Sequence, residues 1–464
     1  MRKTILTFVF ILLTTGLIAQ GKAKYVFYFI GDGMGVDQVN GTEMYLAEQE
    51  GKIGFKPLQF TQFPVMSVAH TYSKTNSVTD SSAAGTALAT GEKTFNGAIG
   101  VDFNKESLIS VAEIAKREGR NVGVITSVSV DHATPAAFYA HQPSRSMYYE
   151  IAADLPKAGF DFYGGSGFLK PNGSKDDPSI FDLFERGGYK LLRGLDAYKE
   201  NKTGDKLILI QEEGASSSAI PYAIDREEGD LSLKEITASA IDHLSKKSKK
   251  GFFLMVEGGK IDWACHDNDA ATTFHEVIDM DEAIGEALSF YKKHPKETLI
   301  VVTADHETGG LSLGSGSYSL NLAALAHQKV SVGVLSSKMS ALRKERDNKV
   351  SWELMKEFLG EHMGFWKEIE LSWKQERKLR DEFELSFVQN KSSFEESMYT
   401  KSEPLAARAK EVMNEIAKVS WASGSHSANF VPVFAIGAGS ELFMGKMDNI
   451  EIPRRIAKAA GYKW

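Results

Sequence analysis

A chain of 464 residues with 42% hydrophobic and 25% charged side chains has ample material for a large folded core. Those proportions exclude a mostly disordered or fibrous protein, and twelve prolines exclude a proline-rich one. The formal charge of −7 argues against a nucleic-acid-binding module, which normally presents a basic face.

The first segment reads as a targeting signal. Arg2 and Lys3 precede an uncharged apolar stretch over 5–18, and Ala19 is a small residue near a plausible cut. Residues 1–20 are expected to be a signal peptide, so the chain is expected to be exported, periplasmic or secreted. The alternative is an uncleaved N-terminal anchor, although the stretch is short for a span of about 20 apolar residues. No other long apolar run follows, so no stable membrane span is expected after processing. The single cysteine, Cys265, makes an intramolecular disulfide impossible.

In chain order, short apolar runs at 25–30, 122–125, 207–210, 252–256, 299–302 and 433–436 read as buried parallel strands. Helical patterns lie between them at 108–117, 233–244 and 271–291. Alternating strand and helix predicts an α/β fold, a largely parallel central sheet with helices on both faces. Residues 311–425 depart from this pattern. They hold four of the six tryptophans and dense Lys/Glu runs, and they are expected to form a variable helical insertion in a catalytic domain over 21–464.

The chemistry-bearing residues follow the predicted strands, where open α/β sheets bind their ligands. After 25–30 comes Gly31-Asp32-Gly33-Met34-Gly35. It lacks G-x-G-x-x-G spacing, and Asp32 would repel a pyrophosphate, so a cation is its natural partner. After 252–256 comes Glu257. Asp262 and His266, four apart, would share one face of a helical turn and could chelate a metal. After 299–302 come Asp305 and His306, and His426 is expected in a loop before the last strand. In Thr79-Asp80-Ser81-Ser82-Ala83-Ala84, Ser81 is placed at a helix start, where the dipole favours an alkoxide or a bound anion. The plainer reading makes it an N-cap serine. Arg145, in a proline-ordered loop after His141, is a candidate bidentate ligand for phosphate or carboxylate. His70, His243, His275, His294, His327 and His362 lack such company and read as structural or surface residues.

Together and in this order, these stretches resemble the alkaline phosphatase family of zinc-dependent phosphomonoesterases. The motifs that carry the resemblance lie at 30–35, 79–87, 131–137 with His141 and Arg145, 256–262 with His266, 302–306, and His426 with 431–435. The resemblance implies a three-metal site, two Zn2+ and one Mg2+, the third site also able to take Zn2+. Asp262, His266 and His426 would hold the first zinc. Asp32, Asp305, His306 and Ser81 would hold the second. Asp32 would bridge to the third metal, completed by Thr134 and Glu257. It further implies broad hydrolysis of small-molecule phosphomonoesters through a phosphoserine on Ser81, a phosphate clamp at Arg145 oriented by Asp80, and a homodimer. His132 and Trp263 stand where the best-known bacterial pattern has Asp and Lys, so they are expected to modulate third-site metal identity and phosphate affinity.

Two other readings compete. A sulfatase would need a Cys/Ser-x-Pro-x-Arg motif, which residues 79–83 lack, and a diesterase usually lacks Arg145 together with the third-site set. A phosphate- or metal-binding protein without turnover would need no nucleophile.

Overall fold

The structure, a computed structural model, describes residues 22–246, 249–316 and 318–464. The signal-peptide reading of 1–20 lies outside the described residues. Within them, a ten-stranded sheet organises the chain. Its first eight strands are β1 (Tyr25–Gly31), β2 (Val65–His70), β3 (Asn121–Thr126), β4 (Phe162–Gly164), β5 (Tyr189–Arg193), β6 (Lys206–Ile210), β7 (Phe252–Gly258) and β8 (Thr298–Thr303). Strands Val431–Gly437 and Met447–Asp448 complete it.

Across the sheet, β8, β1, β7, β3, β4, β6 and β5 follow one another and are parallel. Val431–Gly437 joins β8 antiparallel and carries β2 and then Met447–Asp448 beyond it. All six strands predicted from apolar runs are present, five of them parallel as expected, whereas the run at 433–436 is antiparallel to its neighbours. The additional ones carry weaker signals: β4 has three residues, and β2 alternates buried and exposed positions instead of running continuously apolar.

Helices cover both faces, as the alternation of side chains shows. On one face Phe27 and Phe252 meet Phe290 of the helix Ala270–Lys293, at ring-centroid distances of 5.6 and 5.3 Å. On the other, the adjacent Tyr28 and Phe253 meet Phe138, in the turn that follows the short helix Ala133–Ala136, at 5.9 and 6.4 Å. Local signals set the helix starts: Ser110 with Glu113, and Ser232 with Glu235, form reciprocal capping boxes.

Residues 311–425 contain the helices Val332–Glu345, Trp352–Met363, Trp373–Phe383 and Pro404–Ala417. Their apolar faces build a second hydrophobic cluster, including Leu335, Met355, Leu379 and Val412, which closes over Tyr45 and Phe274. A hairpin, Glu395–Glu396 paired with Lys401–Ser402, interrupts the helices and is not foreshadowed by the pattern.

Register aligns the ends of the central strands. Ile30 pairs with both Glu257 and Thr303, and Thr126 also pairs with Glu257. The residues just beyond these positions therefore emerge at one edge.

Candidate active site

The helix Ser81–Thr90 is buried along its whole length by small residues, which lets its first turn approach the strand ends. Its N-cap is Asp80, whose carboxylate accepts from the Ala83 N–H, the Ser82 hydroxyl and the Gly97 N–H, each at 2.9 Å. The N-cap reading of Ser81 is thus corrected. Ser81 is the first helical residue, and its Oγ faces His306 Nε2 at 3.2 Å.

Three groups of donor atoms converge, each within 4.8 Å: Asp262, His266 and His426; Asp32, Asp262 and His306; Asp32, His132 and Glu257. In the first, the helix Lys260–His266 sets His266 Nε2 3.3 Å from Asp262 Oδ1. His426 does not lie in a loop as expected. It begins a two-residue strand, His426–Ser427, laid antiparallel on Glu307–Thr308, and the ladder carries it over His306 with ring centroids 3.6 Å apart. The Nδ1 atoms of His266 and His426 face the carbonyls of Gly424 (2.7 Å) and Thr79 (2.9 Å) and donate to them. With both rings neutral, the Nε2 lone pairs point at each other across 3.2 Å, with Asp262 Oδ1 beside them. Such convergence of lone pairs is unfavourable without a cation.

The second group repeats this logic. Thr308 Oγ1 donates to Asp262 Oδ1 at 2.5 Å, so it can only accept from His306 Nδ1 at 3.2 Å. His306 Nε2 is left bare, 3.3 Å from Asp32 Oδ1 and 3.3 Å from Asp305 Oδ2. Gly33 makes the close approach feasible. Its φ is +74°, and a Cβ there would lie 2.8 Å from Asp262 Cα and 2.9 Å from Thr308 Oγ1.

In the third group, Thr134 Oγ1 lies 3.5 Å from both Asp32 Oδ2 and Asp305 Oδ2. Thr126 donates to Glu257 Oε2, and Glu257 Oε1 sits 4.0 Å from His132 Nδ1. His132 therefore joins Thr134 at this position, a placement beyond the modulating role expected for it.

Electrostatics point the same way. Burial pushes Asp32 and Asp305 well above the usual carboxylate range, and neighbouring carboxylates add to the shift. Glu257 is pushed up to about 7, chiefly by burial. Burial and the Arg145 charge hold His132 down at about 3, so its imidazole is neutral at neutral pH. Among the described residues, Asp32 Oδ1, Asp262 Oδ2, Glu257 Oε1 and His132 Nδ1 are buried without a hydrogen-bond partner. Orphaned carboxylate oxygens beside bare imidazole nitrogens are a donor set suited to divalent metals.

Arg145 reaches this cluster from a loop held by Arg145 N–H to Gly97 O (2.7 Å) and Gln142 N–H to Ile99 O (2.8 Å). Its guanidinium lies 3.5 Å from Asp80 Oδ2 and 3.4 Å from His132 Nε2. Trp263, on the metal-facing helix, stacks on Tyr399 with centroids 4.4 Å apart and planes at 13°. Tyr399 has no signal in the sequence, being isolated in the insertion. Thr308 was within reach of sequence reasoning, two positions past His306.

Comparison with known proteins agrees with this geometry. The alkaline phosphatase family model matches residues 23–165 and 172–462. Alkaline phosphatase 3 of Bacillus subtilis is 32% identical over 461 residues, covering 96% of this chain and 90% of its own. The crystal structure of a cold-active alkaline phosphatase from Shewanella sp. superposes with a TM-score of 0.80 at 30% identity, covering 94% of this chain and 99% of that one. The Thermus thermophilus alkaline phosphatase gives a TM-score of 0.77 at 25% identity, covering 99% and 96%. The chain belongs to the alkaline phosphatase family and is a metal-dependent hydrolase of phosphate monoesters.

Proposed function

We propose that hydrolysis proceeds through a covalent phosphoserine on Ser81, with two zinc ions and a third metal, magnesium or zinc, at the three donor groups. The observation that carries this reading is Ser81 Oγ itself. It is released from capping by Asp80, placed at a helix start and set 3.2 Å from a bare imidazole nitrogen.

Ser81 Oγ attacks phosphorus as the ester P–O bond breaks on the opposite side, and the positive helix end favours the serine's negative charge. Arg145, anchored by Asp80, pairs with two phosphoryl oxygens. When bound, the metals neutralise the serine and leaving-group oxygens and lower the pKa of the attacking water. Water then attacks the same phosphorus, releases phosphate and restores Ser81. Asp262, His266 and His426 would hold one zinc. Asp32, Asp305 and His306 would hold the other, and Asp32, Thr134 and Glu257, with His132 adjacent, would hold the third metal. Recognition centred on the phosphoryl group supports a broad substrate range.

Ser81→Ala tests this. Turnover of p-nitrophenyl phosphate is expected to fall by at least about 1,000-fold, the scale of removing a covalent nucleophile. Acid-trapped phosphoserine disappears while zinc content is retained. A phosphoenzyme trapped in the variant would place the nucleophile elsewhere, and faster turnover of a diester by wild type would favour a phosphodiesterase.

The apolar stretch near the N-terminus supports export to the periplasm or medium. Among the described residues, no helix is long and apolar enough to cross a membrane. We read 21–464 as one catalytic domain with an insertion at 311–425, and infer a homodimer from the family resemblance.

A further inference from the structure

The insertion reaches into the site through a hairpin. In the hairpin Glu395–Glu396/Lys401–Ser402, the turn is tied to the metal-facing helix. Asp267, the residue after His266, accepts from Ser397 Oγ at 2.5 Å and from Thr400 Oγ1 at 2.7 Å. Lys410 Nζ donates to the Asp267 carbonyl at 2.7 Å. Between the two anchors, Met398 points outward, 62% exposed, and Tyr399 turns inward.

The Tyr399 ring is held from several sides. It stacks on Trp263, meets His266 edge-on at 5.5 Å and lies 6.4 Å from His132. Its phenol feels the charge of the Arg145 guanidinium, which itself reaches His132 Nε2 at 3.4 Å. A guanidinium can only donate, so a bond between the two would use the phenol oxygen as acceptor and leave its O–H free to donate. The phenol is protonated at neutral pH, and an O–H that reaches a bound anion makes a charge-assisted bond.

We propose that Tyr399 is a phosphate-binding residue, a neutral O–H donor that the insertion delivers beside Arg145, with Trp263 as its platform. The proposal rests on the phosphomonoesterase reading and adds to it a residue from outside the family motifs. It also gives Trp263 a definite part. Its indole supplies the flat surface that fixes the tyrosine, and so provides indirectly the anion contact that a lysine there would make directly.

The test uses metal-loaded full chain with inorganic phosphate as the probe, titrated calorimetrically, beside p-nitrophenyl phosphate kinetics. Tyr399→Phe keeps the stack and removes the hydroxyl. Phosphate binding is expected to weaken about tenfold or more, the loss of one hydrogen bond to a charged group. KM rises in step, while metal content and unfolding temperature stay at the wild-type values. Tyr399→Ala, which also removes the ring, weakens phosphate binding further. Wild-type phosphate affinity in Tyr399→Phe overturns the proposal, and so does a loss of affinity accompanied by loss of metal, which would make Tyr399 a packing residue. A wild-type protein that binds phosphate but hydrolyses no monoester would instead sink the phosphomonoesterase reading, and the phosphate comparison would still decide Tyr399.

Discussion

Thr308 shows how a small side chain organises the donors around it. One hydroxyl fixes two of them, donating to Asp262 and accepting from His306. It thereby sets the tautomer that leaves His306 Nε2 bare, the role that outer hydrogen-bond partners usually play for metal-binding histidines. Thr308→Val keeps the shape and removes both bonds. Zinc affinity, measured by competition with a chromogenic chelator, should fall about 10- to 100-fold. Unchanged affinity would mean that backbone placement alone orients His306. Trp263 is a second case where contacts decide the role. The sequence contrast with lysine suggests that Trp263→Lys would tighten phosphate binding by adding a cation. The stack with Tyr399 means the same change removes that ring's platform, so the two effects oppose each other. The stack is not visible in the sequence, because it joins residues 136 positions apart, whereas Thr308 stands two positions past His306.

Elements at the strand ends were legible because their signals are local. Continuous apolar runs gave the central strands, and the i, i+4 spacing of Asp262 and His266 gave a shared helical face. The strand at His426 was not, because a two-residue ladder has no periodicity to detect, although His426 itself was singled out. The Arg145 loop depends on another contact of this kind. His141 Nδ1 faces Gly100 O at 2.9 Å and its Nε2 lies 3.5 Å from Glu113, which also closes the capping box of the helix Val111–Arg117. Burial lowers the His141 pKa, but Glu113 and the Gly100 carbonyl outweigh it, and the net shift is upward. A raised histidine pKa contributes stability that is fully present below its unfolded value of about 6.5 and is lost as pH rises through the folded value. His141→Gln should therefore lower the urea midpoint more at pH 5.5 than at pH 9. The difference is expected to be about 0.5 kcal/mol, because the pair is partly exposed and screened. An equal deficit at both pH values would show that only the Gly100 contact matters.

The molecule as a whole is tied together at its charged centre. Candidate ligands come from the end of β1, the Ser81 helix, the start of the helix Ala133–Ala136, β7 with its following helix, the end of β8 and the strand at His426. The lone cysteine is free and buried, so no disulfide duplicates these ties. The sheet and the second cluster each have their own apolar packing, which made the α/β class and the helical character of 311–425 readable from composition and period. The carboxylate cluster has no such independent support. In metal-free protein, Asp32, Asp305 and Glu257 have raised pKa values from burial and mutual repulsion. For a carboxyl raised in the folded state, the stability contribution is present below the ordinary value and disappears as pH rises through the raised one. At pH 8 the stripped centre therefore sets an ionised Glu257 against the Asp262 charge, whereas bound divalent ions neutralise both. Chelator treatment should lower the unfolding temperature at any pH, and the drop should be larger at pH 8 than at pH 5. Glu257 moves from 4.5 to about 7, which corresponds to roughly 3 kcal/mol and, for a chain of this length, about 3 °C of added difference. Differential scanning calorimetry of metal-saturated and chelator-dialysed protein at both pH values decides the matter. A metal-free protein that unfolds at the same temperature as the loaded one would show that the apolar cores alone hold these strand ends together.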